Sequence, residues 1–437
     1  MNYENAVSYI ENNFSLSDEK LKKIVKRFTA EMNQGLRGRE SSLKMLPAFI
    51  DTPCGSEKGG FLAIDLGGTN LRVLKLELLG NGRIRTAKEK KVEIEKKLIY
   101  GKGEALFDFI AGTLGDFIGN KQEIAAGFTF SFPVKQTGVA SGILLNWTKG
   151  FSATGVVGRD VVKLLNESLA RKNLNNIRIA ALVNDTVGTL LTGRYKNPEC
   201  DVAIILGTGT NACYRESLSE IPKWHKPHVS TDKMIVNIEW GNFNKLYSTK
   251  YDKIIDRNSQ NPGSQVLEKM VSGLYLGEIA RQIILDFISH KVFLYRDGIP
   301  GVLGTENALR TESMSKIEAD KTVNLSGVAQ VLAHLGIEKS SYKERALVKR
   351  ICGLVSNRGA LISAAALGAV ILKIDPELFD KHTVAVDGSV YEKHPHFSGN
   401  MKSGLYRIFG KKSGHIHLSL IKDGSGFGAG MAAASVL

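Results

Sequence analysis

The sequence contains few cysteines and lacks a long apolar run. Its four cysteines among 437 residues show no C-x-x-C spacing, which argues against a disulfide framework and favours a reducing compartment, the cytoplasm. The longest uncharged apolar stretches, Gly359–Leu372 and Gly424–Leu437, have 14 residues each, whereas a membrane-spanning helix needs about 20. Because they are rich in Ala and Gly, they predict closely packed, buried helices. The first residues, Met1–Phe14, lack the apolar core of a secretory signal, so we expect neither secretion nor a membrane anchor.

Recognised nucleic-acid motifs are also absent, although the net charge is +14. An excess of positive charge suggests an anionic partner, either nucleic acid or a phosphorylated small molecule. The densest basic run, Lys88–Lys97, has a net charge of only +2, which is typical of a solvated face. We therefore expect no nucleic-acid partner.

One strand–turn–strand pattern occurs twice. In the first copy, the apolar strand Phe61–Ile64 leads into the glycine-rich segment Asp65–Arg72 and then into alternating apolar residues through Leu78. The second copy begins 140 residues later with the strand Val202–Leu206, followed by Gly-Thr-Gly-Thr-Asn and a further strand. This repetition, within an alternation of strands and helices, predicts a duplicated α/β architecture.

Helical patterns dominate at both ends of the chain. The apolar spacing in Asp18–Gly35 predicts an amphipathic helix, which Ser15 could cap. Toward the C-terminus we predict helices over Gln265–His290 and Lys343–Ile374 and a strand over Thr383–Val386.

The two glycine-rich turns are candidates for anion binding. Glycine lets main-chain N–H groups approach an anion, because no Cβ stands in the way. One such turn alone is most simply a plain hairpin, but two of matching chemistry favour a phosphate cradle shared by two lobes. The segment after Gly207 continues as a strand instead of opening a helix, so a dinucleotide fingerprint is not predicted.

Two carboxylates directly follow apolar strands. Asp185 comes after the strand Ile179–Val183, and Glu239 ends the apolar run Met234–Val236. Asp185 is either a helix cap or a general base at the carboxyl edge of a sheet, where open α/β folds bind ligands. Glu239 is either a solvated edge residue or part of a polar site.

Histidines and cysteines are weaker candidates. His394 and His396, like His415 and His417, are spaced as chelating pairs, but no Cys or carboxylate accompanies them at ligand spacing. We therefore predict surface or strand-alternating histidines, no metal site, and cysteines that fill apolar space.

Taken together, the motifs resemble the hexokinase family of ATP-dependent sugar kinases, and the resemblance covers nearly the whole chain. The segment Asp65–Arg72 is similar to the first phosphate motif of that family. Further segments resemble its sugar-binding signature, the region of its catalytic aspartate, its second phosphate loop and its adenosine segment; these are Gly127–Pro133 with Leu145–Phe151, Asn184–Thr189, Gly207–Cys213 and Val386–Tyr391.

The resemblance implies an α/β, two-lobed, actin-like ATPase fold of the ribonuclease H-like kind. It implies a duplicated sheet–helix core and a cleft between the lobes. The small lobe would comprise residues 59–187 and 423–437, and the large lobe residues 1–58 and 188–422.

The resemblance also implies the residues of the site. Asp185 and Lys149 would be catalytic. The sugar would bind to Ser131, Thr148, Lys149, Asn184, Asp185, Asn211, Glu239 and Glu268. The phosphates of ATP would bind to Gly68, Thr69, Asn70, Arg72 and Thr208, and its adenosine to Gly388, Ser389, Thr311 and Ser315. Mg²⁺ would be carried by the nucleotide and not by a protein cage, with Asp65 as the candidate for a contact through water.

The implied reaction transfers the γ-phosphoryl group of MgATP to the 6-hydroxyl of a hexose, while Asp185 accepts the hydroxyl proton. Glucose is the first choice of sugar, and fructose and mannose stay open as alternatives. Polyphosphate stays open as an alternative phosphoryl donor. A catalytically silent sugar sensor is the alternative, but it has no need of Asp185, Lys149 and both phosphate turns. The expected partners are a hexose and MgATP, and we expect a cytoplasmic monomer or homodimer.

Overall fold

The computed structural model describes residues 3–118, 123–148, 150–225, 231–294 and 298–437. Within these ranges the chain forms thirteen β-strands and sixteen α-helices. The strands are β1 (Leu46–Pro47), β2 (Lys58–Leu66), β3 (Asn70–Gly80), β4 (Arg83–Glu93), β5 (Ile124–Phe130), β6 (Val134–Gly138), β7 (Ser141–Leu144), β8 (Ile177–Val183), β9 (Cys200–Leu206), β10 (Thr210–Ser217), β11 (Lys233–Asn237), β12 (His382–Asp387) and β13 (Ile416–Leu420). The helices are α1 (Tyr3–Phe14), α2 (Asp18–Leu36), α3 (Lys96–Ile99), α4 (Gly103–Ile118), α5 (Val161–Arg171), α6 (Asp185–Lys196), α7 (Lys250–Asn258), α8 (Val266–Val271), α9 (Leu276–Ser289), α10 (Gly301–Gly304), α11 (Thr311–Ala319), α12 (Ser326–His334), α13 (Tyr342–Ile374), α14 (Ser389–Lys393), α15 (Phe397–Phe409) and α16 (Gly424–Ser435).

The first sheet has the strand order β4-β3-β2-β5-β8. Strand β3 lies antiparallel between β2 and β4, whereas β2, β5 and β8 are parallel. The segment Phe61–Ile64 of β2 is buried throughout, as is typical of a central strand covered on both faces. Strand β4 is one edge of this sheet, and its mostly exposed residues place the first part of the basic run, from Lys88 to Glu93, in solvent.

The second sheet has the order β1-β11-β10-β9-β12-β13. Its last five strands repeat the first sheet: β10 lies antiparallel between β9 and β11, and β9, β12 and β13 are parallel. The predicted duplication is therefore confirmed at the level of strand order and direction.

Each copy ends in a helix, α6 after β8 and α16 after β13, and these two helices cross between the sheets. Glycines allow the crossing, because a Cβ on Gly428 would lie 2.1 Å from the Cα of Gly188. Helix α16 packs on the first sheet, where a Cβ on Gly127 would lie 1.8 Å from the carbonyl oxygen of Ala429. The first residues of α6 and α16 thus lie beside the carboxyl edges of the two sheets. The division of residues between the lobes stays a prediction.

The helices of the second half pack around α13. This helix is long and apolar enough to cross a membrane by length and composition, and it is the one such helix in the ranges that the structure describes. However, 89% of its most apolar window is buried inside the protein, so it is a core helix of this fold. The N-terminal helices join the same core: the rings of Phe28 and Phe243 are 4.8 Å apart, and those of Phe14 and Tyr251 are 6.2 Å apart.

The prediction of one continuous helix over Gln265–His290 is wrong. Helices α8 and α9 are separated by a break, in which the N–H groups of Gly273 and Leu274 donate to the carbonyl oxygens of Gly207 and Thr208, at 2.8 and 3.1 Å. The break therefore attaches this segment to the second glycine turn.

Three other local expectations are also wrong. Helix α2 is capped by Ser17, whose Oγ accepts from the N–H of Lys20 at 3.3 Å, and not by Ser15. Cys54 is exposed, whereas the other cysteines are buried. His394 is buried and not on the surface.

Candidate active site

The carboxyl ends of three neighbouring strands bring together predicted residues of the first copy. Asp65 in β2 is in register with Thr129 in β5, and Thr129 with Val183 in β8. Ser131 follows β5 and Asp185 follows β8, so Asp65, Ser131 and Asp185 lie along one edge of the sheet. Open α/β sheets bind ligands at this edge.

Asp185 is the first residue of α6, but the cap of that helix is Asn184. The side-chain oxygen of Asn184 accepts from the N–H of Val187 at 2.8 Å. Asp185 is half-buried, and its Oδ1 accepts from the N–H of Thr186 at 2.8 Å. None of the described residues donates a hydrogen bond to its Oδ2. With respect to the described residues, one carboxylate oxygen of Asp185 is therefore open to another partner.

The start of α6 also touches the second sheet. The Cys213 thiol donates to the carbonyl oxygen of Thr186 at 3.3 Å. Cys213 lies in β10, two residues beyond Asn211. Asp185 of the first copy and Asn211 of the second therefore border the same cleft.

Amide and carboxylate side chains on and beside the second sheet form a polar cluster, which we call the sugar-side network: Asn211 of β10, Asn237 of β11, Glu239 after β11, and Glu268 of α8. Asn211 Nδ2 donates to Asn237 Oδ1 at 2.9 Å, and Asn237 Nδ2 donates to Glu239 Oε1 at 2.9 Å. Glu268 Oε2 accepts from the N–H of Thr210 at 2.9 Å. These side chains combine donors with acceptors, as a ligand rich in hydroxyl groups requires.

The first glycine turn lines a cavity of about 330 Å³, which we call the phosphate cavity. The N–H of Gly67 donates to the carbonyl oxygen of Asn70 at 3.1 Å and closes the turn. Glycine N–H groups next to a cationic side chain suit an anionic ligand such as phosphate. The lining residues are Asp65, Gly67, Gly68, Thr69, Asn70, Arg72, Lys91, Asp387, Asp423 and Ser425.

Arg72 lies in the phosphate cavity but is already paired. Its Nε donates to Glu89 at 2.7 Å and its Nη1 donates to Asp423 at 2.8 Å. Burial lowers the pKa of Arg72, yet hydrogen bonds to these two carboxylates raise it above the ordinary value overall. The guanidinium is therefore a fixed cation, whose position is set before a ligand arrives.

The second glycine turn packs against the predicted adenosine segment. Gly388 has a φ of 118°, and a Cβ on it would lie 2.3 Å from the carbonyl oxygen of Leu206, so only glycine fits. Thr208 and Ser389 are exposed and follow the adjacent parallel strands β9 and β12. Because Asp387, at the end of β12, lines the phosphate cavity, the predicted adenosine segment connects that cavity with the second turn.

Thr311 and Ser315 are farther from that space. The Thr311 hydroxyl accepts from the N–H of Gly277 at 3.0 Å, and the Ser315 hydroxyl donates to the Thr311 carbonyl at 3.0 Å. Neither residue is among those that line the phosphate cavity in the described ranges. Both lie on α11, which stands beside α9 on the side of the second turn.

Aromatic packing positions the loop that carries Thr148. The ring of Trp147 lies 4.8 Å from that of Phe132 and 5.3 Å from that of Phe151. The N–H of Phe151 donates to the carbonyl oxygen of Thr148 at 3.1 Å. This packing brings the two parts of the sugar-binding signature together at the end of β5. Lys149 lies outside the described residues.

Asp387 is an acidic residue of the cleft that sequence reasoning missed. Its Oδ1 accepts from the N–H of Gly388 at 2.7 Å and its Oδ2 from the N–H of Gly424 at 3.2 Å. Burial raises the pKa of Asp387 to about 6, and the nearby charges of Asp185 and Asp423 act in the same direction. The cleft therefore concentrates negative charge, which a ligand carrying a cation would offset.

Asp65 fits a contact with such a cation through water. It lines the phosphate cavity and accepts from the Ser425 hydroxyl at 3.2 Å. In the described ranges, no group of three or more His, Cys, Asp or Glu side chains could hold a metal ion. A small divalent cation that keeps most of its water and binds to phosphate suits this arrangement.

Asn237, Asp423 and Ser425 also escaped sequence reasoning. Asn237 could have been found, because it is two residues from Glu239 and alternate strand residues share a face. Asp387 could have been found by the signal that identified Asp185, a carboxylate at the end of a buried strand. Asp423 is 351 positions from its partner Arg72, and no local pattern predicts such a contact.

Comparison with known proteins covers most of the chain. Residues 6–195 and 201–435 each match a family model described as hexokinase. Hexokinase-1 of Spinacia oleracea is 42% identical over 438 residues, which are 95% of this chain and 87% of that protein. Hexokinase-1 of Homo sapiens is 41% identical over 441 residues, which are 96% of this chain and 47% of the human protein.

Solved structures agree with the sequence comparison. A hexokinase from Schistosoma mansoni complexed with glucose matches with a TM-score of 0.88 and 36% identity, over 100% of both chains. Another hexokinase crystal structure matches with a TM-score of 0.86 and 31% identity, over 100% of this chain and 99% of the other. The two-lobed, actin-like α/β fold is thereby confirmed, and the chain belongs to the hexokinase family, the phosphotransferases that use ATP to phosphorylate hexoses.

Proposed function

We propose that this enzyme phosphorylates glucose at its 6-hydroxyl and that Asp185 is the general base. The observation that carries the proposal is the position of Asp185 at the carboxyl edge of the first sheet: its charge acts on Asp387 of the phosphate cavity, and the next residue, Thr186, is bonded to the strand that carries Asn211. Its Oδ2 accepts no hydrogen bond from the described residues. As the 6-hydroxyl oxygen attacks the γ-phosphorus, this carboxylate takes the hydroxyl proton, and ADP leaves.

The sugar hydroxyl groups bind to side chains on both sides of the cleft. The sugar-side network supplies donors and acceptors at fixed positions, and such a pocket discriminates strongly by hydroxyl pattern. Glucose is favoured because the Schistosoma mansoni relative is described in complex with glucose. In this proposal the sugar contacts are Ser131, Thr148, Lys149, Asn184, Asp185, Asn211, Glu239 and Glu268.

ATP binds with its phosphates between the two glycine turns. The phosphates contact Gly68, Thr69, Asn70, Arg72 and Thr208, and the adenosine contacts Gly388, Ser389, Thr311 and Ser315. When Mg²⁺ accompanies the nucleotide, it neutralises phosphate charge. Asp65 holds water around that ion, and the Lys149 ammonium stabilises the charge that develops on the transferred group.

The Asp185→Ala variant tests the assignment of the base. Removing a general base typically lowers the rate by about 10²–10⁴, so we expect kcat to fall by that factor in a coupled assay of ADP release with glucose. The KM for ATP should change little. If purified Asp185→Ala kept most of its turnover, Asp185 would not be the base.

Asp375→Ala is the matched control. Asp375 is also half-buried and also accepts main-chain hydrogen bonds, from Phe379 at 2.6 Å and Asp380 at 2.9 Å. It lies after α13, away from the cleft. Its loss should lower the unfolding temperature without lowering kcat, which separates loss of chemistry from loss of fold.

A catalytically silent sugar sensor is the alternative, and the same assay decides between them. The combination of Asp185 and both glycine turns favours catalysis, since sensing needs no proton acceptor. Binding of glucose without glucose-dependent ADP release would establish the sensor. Glucose, fructose and mannose, each tested with ATP and polyphosphate, would define the preferred sugar and donor.

We also infer that the enzyme acts in the cytoplasm, because its cysteines are all free, as is usual in a reducing compartment. Whether it is a monomer or a homodimer stays a prediction, for which sedimentation velocity is the direct measurement.

A further inference from the structure

A buried polar cluster joins three helices next to the second glycine turn. His394, directly after α14, has its Nε2 3.3 Å from Oε1 of Glu318 on α11, and the two side chains are only 1% and 3% exposed. Glu318 Oε2 accepts from the Ser356 hydroxyl of α13 at 2.9 Å. The proposed reaction uses none of these groups.

The cluster is incompletely hydrogen-bonded. Neither ring nitrogen of His394, nor Oε1 of Glu318, makes a well-aligned hydrogen bond to a described residue. Burying such atoms opposes folding, and apolar side chains of similar volume could fill the space without that cost. The pair is therefore poorly explained as a device that stabilises the fold.

The two helices that the pair joins carry the residues assigned to adenosine. Helix α11 begins at Thr311, and α14 begins at Ser389. Since a helix rises about 1.5 Å per residue, Thr311 is about 10 Å from Glu318 and Ser389 is about 8 Å from His394. Short rigid helices thus connect the buried pair with both walls of the adenosine site.

We propose that Glu318 and His394 are positioning residues for the adenine nucleotide. Their contact fixes the separation between the first turns of α11 and α14, and so fixes the width of the adenosine site. This inference rests on the proposed assignment of adenosine to Thr311, Ser315, Gly388 and Ser389. Affinity depends on walls that are in place before the ligand arrives, so removing the contact should weaken nucleotide binding and leave the chemistry at the sugar intact.

The test compares Glu318→Leu and His394→Leu with Glu318→Gln, which keeps an acceptor for Ser356. We expect each leucine variant to raise the KM for ATP about five- to tenfold, with kcat and the KM for glucose within about twofold of the parent enzyme. The Kd for ADP, measured by calorimetry, should rise by the same factor. In the Glu318→Gln variant, all these values should stay within about twofold of those of the parent enzyme.

The preference for ATP over GTP is a second readout, which distinguishes a specific effect on the adenosine site from a general loss of rigidity in the protein. The ratio of kcat/KM for ATP to that for GTP should fall in the leucine variants, because the two donors share their phosphates and differ in the base. His382→Leu is the matched control: His382 is also buried and lies 2.7 Å from Asp201, at the start of β12 and away from α11 and α14. It should lower the unfolding temperature without changing the ATP/GTP ratio.

The inference is overturned if folded leucine variants keep the ADP affinity of the parent, or if the KM values for ATP and glucose rise together at a constant ATP/GTP ratio. Should the leucine variants fail to fold, His394→Gln and His394→Asn replace them. The longer amide can reach Glu318 and the shorter one cannot, so only His394→Asn should weaken ADP binding, and equal affinities would overturn the inference.

Ser389→Trp tests the underlying assignment, because an indole there would fill the adenosine site. If Ser389→Trp leaves ADP binding unchanged, the assignment of adenosine is wrong and the inference falls with it. If Ser389→Trp weakens ADP binding while the leucine variants do not, the assignment stands and the positioning role alone is overturned.

Discussion

The two copies of the glycine-turn hairpin share a backbone and differ in their chemistry. In the first copy, Asp65 of β2 is in register with Arg72 of β3. At the corresponding place in the second copy, Ile205 of β9 is in register with Asn211 of β10. The first pair lines the phosphate cavity, whereas Asn211 belongs to the sugar-side network. One scaffold therefore carries different side-chain chemistry at the same pair of positions, and we expect the two copies to bind different parts of the substrates.

The helices that end the two copies differ in a similar way. Each begins near an aspartate at a sheet edge, Asp185 for α6 and Asp423 for α16. Asp185 is half-buried, and its Oδ2 accepts no hydrogen bond from the described residues, whereas Asp423 is 51% exposed in its side chain and paired with Arg72. The same place in the fold thus holds the proposed general base in one copy and a carboxylate paired with Arg72 in the other.

The largest expected effect is a loss of stability from overpacking the crossing of α6 and α16, where the two copies touch. Gly428→Ala would place a Cβ 2.1 Å from backbone atoms of Gly188, and overpacking against backbone cannot be relieved by a rotamer change. We expect a loss of about 3 kcal/mol in the free energy of unfolding, measured by chemical denaturation. Gly399→Ala, where a Cβ meets nothing within 4 Å on α15, should instead stabilise by about 0.5–1 kcal/mol. Equal effects of the two variants would contradict the close crossing.

The next prediction compares the substrate dependence of variants at Arg72 in the first copy and at Asn211, the corresponding position in the second copy. Arg72→Ala removes charge-assisted hydrogen bonds worth about 1.5–3 kcal/mol, so kcat/KM measured with varied ATP should fall about 10- to 100-fold. The KM for glucose should stay within about twofold. Asn211→Ala should show the reverse pattern, with a raised KM for glucose and little change for ATP. The same pattern in both variants would mean that the two copies do not divide the substrates.

A smaller effect concerns the carboxylate between the copies. Because the pKa of Asp387 is raised to about 6, the native state binds a proton more tightly than the unfolded chain does. The stability that this provides is largest below pH about 4 and is lost as the pH rises from about 4 through about 6. We therefore expect the stability of Asp387→Asn relative to the parent to increase by about 2 kcal/mol between pH 4 and 8. Denaturation at several pH values measures this, and a constant difference would contradict the raised pKa.

The smallest effect should come from neutralising one carboxylate of the sugar-side network. Glu268→Gln keeps an acceptor for the N–H of Thr210 but loses the charge, so the KM for glucose should rise only about fivefold. Glu220→Gln, at an exposed position beyond the end of β10, is the control and should leave the KM unchanged. A hundredfold loss of kcat in Glu268→Gln would instead assign this residue to the chemistry.

Local patterns predicted the parts of the fold that local forces determine. The two turns, the strand before Asp185 and the helix Lys343–Ile374 all follow from hydrophobic period and glycine placement. The break between α8 and α9 was missed because its cause is tertiary: Gly273 and Leu274 exchange helical hydrogen bonds for bonds to the second turn.

For the site, the sequence offered a helix cap or a general base for Asp185. The structure excludes the helix cap, because Asn184 is the cap, and the role of general base stays a prediction. The pairing of Arg72 with Asp423 could not be predicted, since it joins the first copy to the last helix of the chain. The burial that raises the pKa of Asp387 is likewise a product of the assembled cleft. Residue type and strand position are local properties, whereas partners and burial are not.

The break before α9 has one more consequence. The short helix α8 presents Glu268 to the sugar-side network, and the residues that follow it are bonded to the carbonyl groups of Gly207 and Thr208. If the sugar binds to Glu268 as proposed, about six residues of backbone connect its binding site with the second turn. Any coupling carried by this connection is reciprocal: if binding of the sugar raised the affinity for ATP, binding of ATP would raise the affinity for the sugar by the same factor.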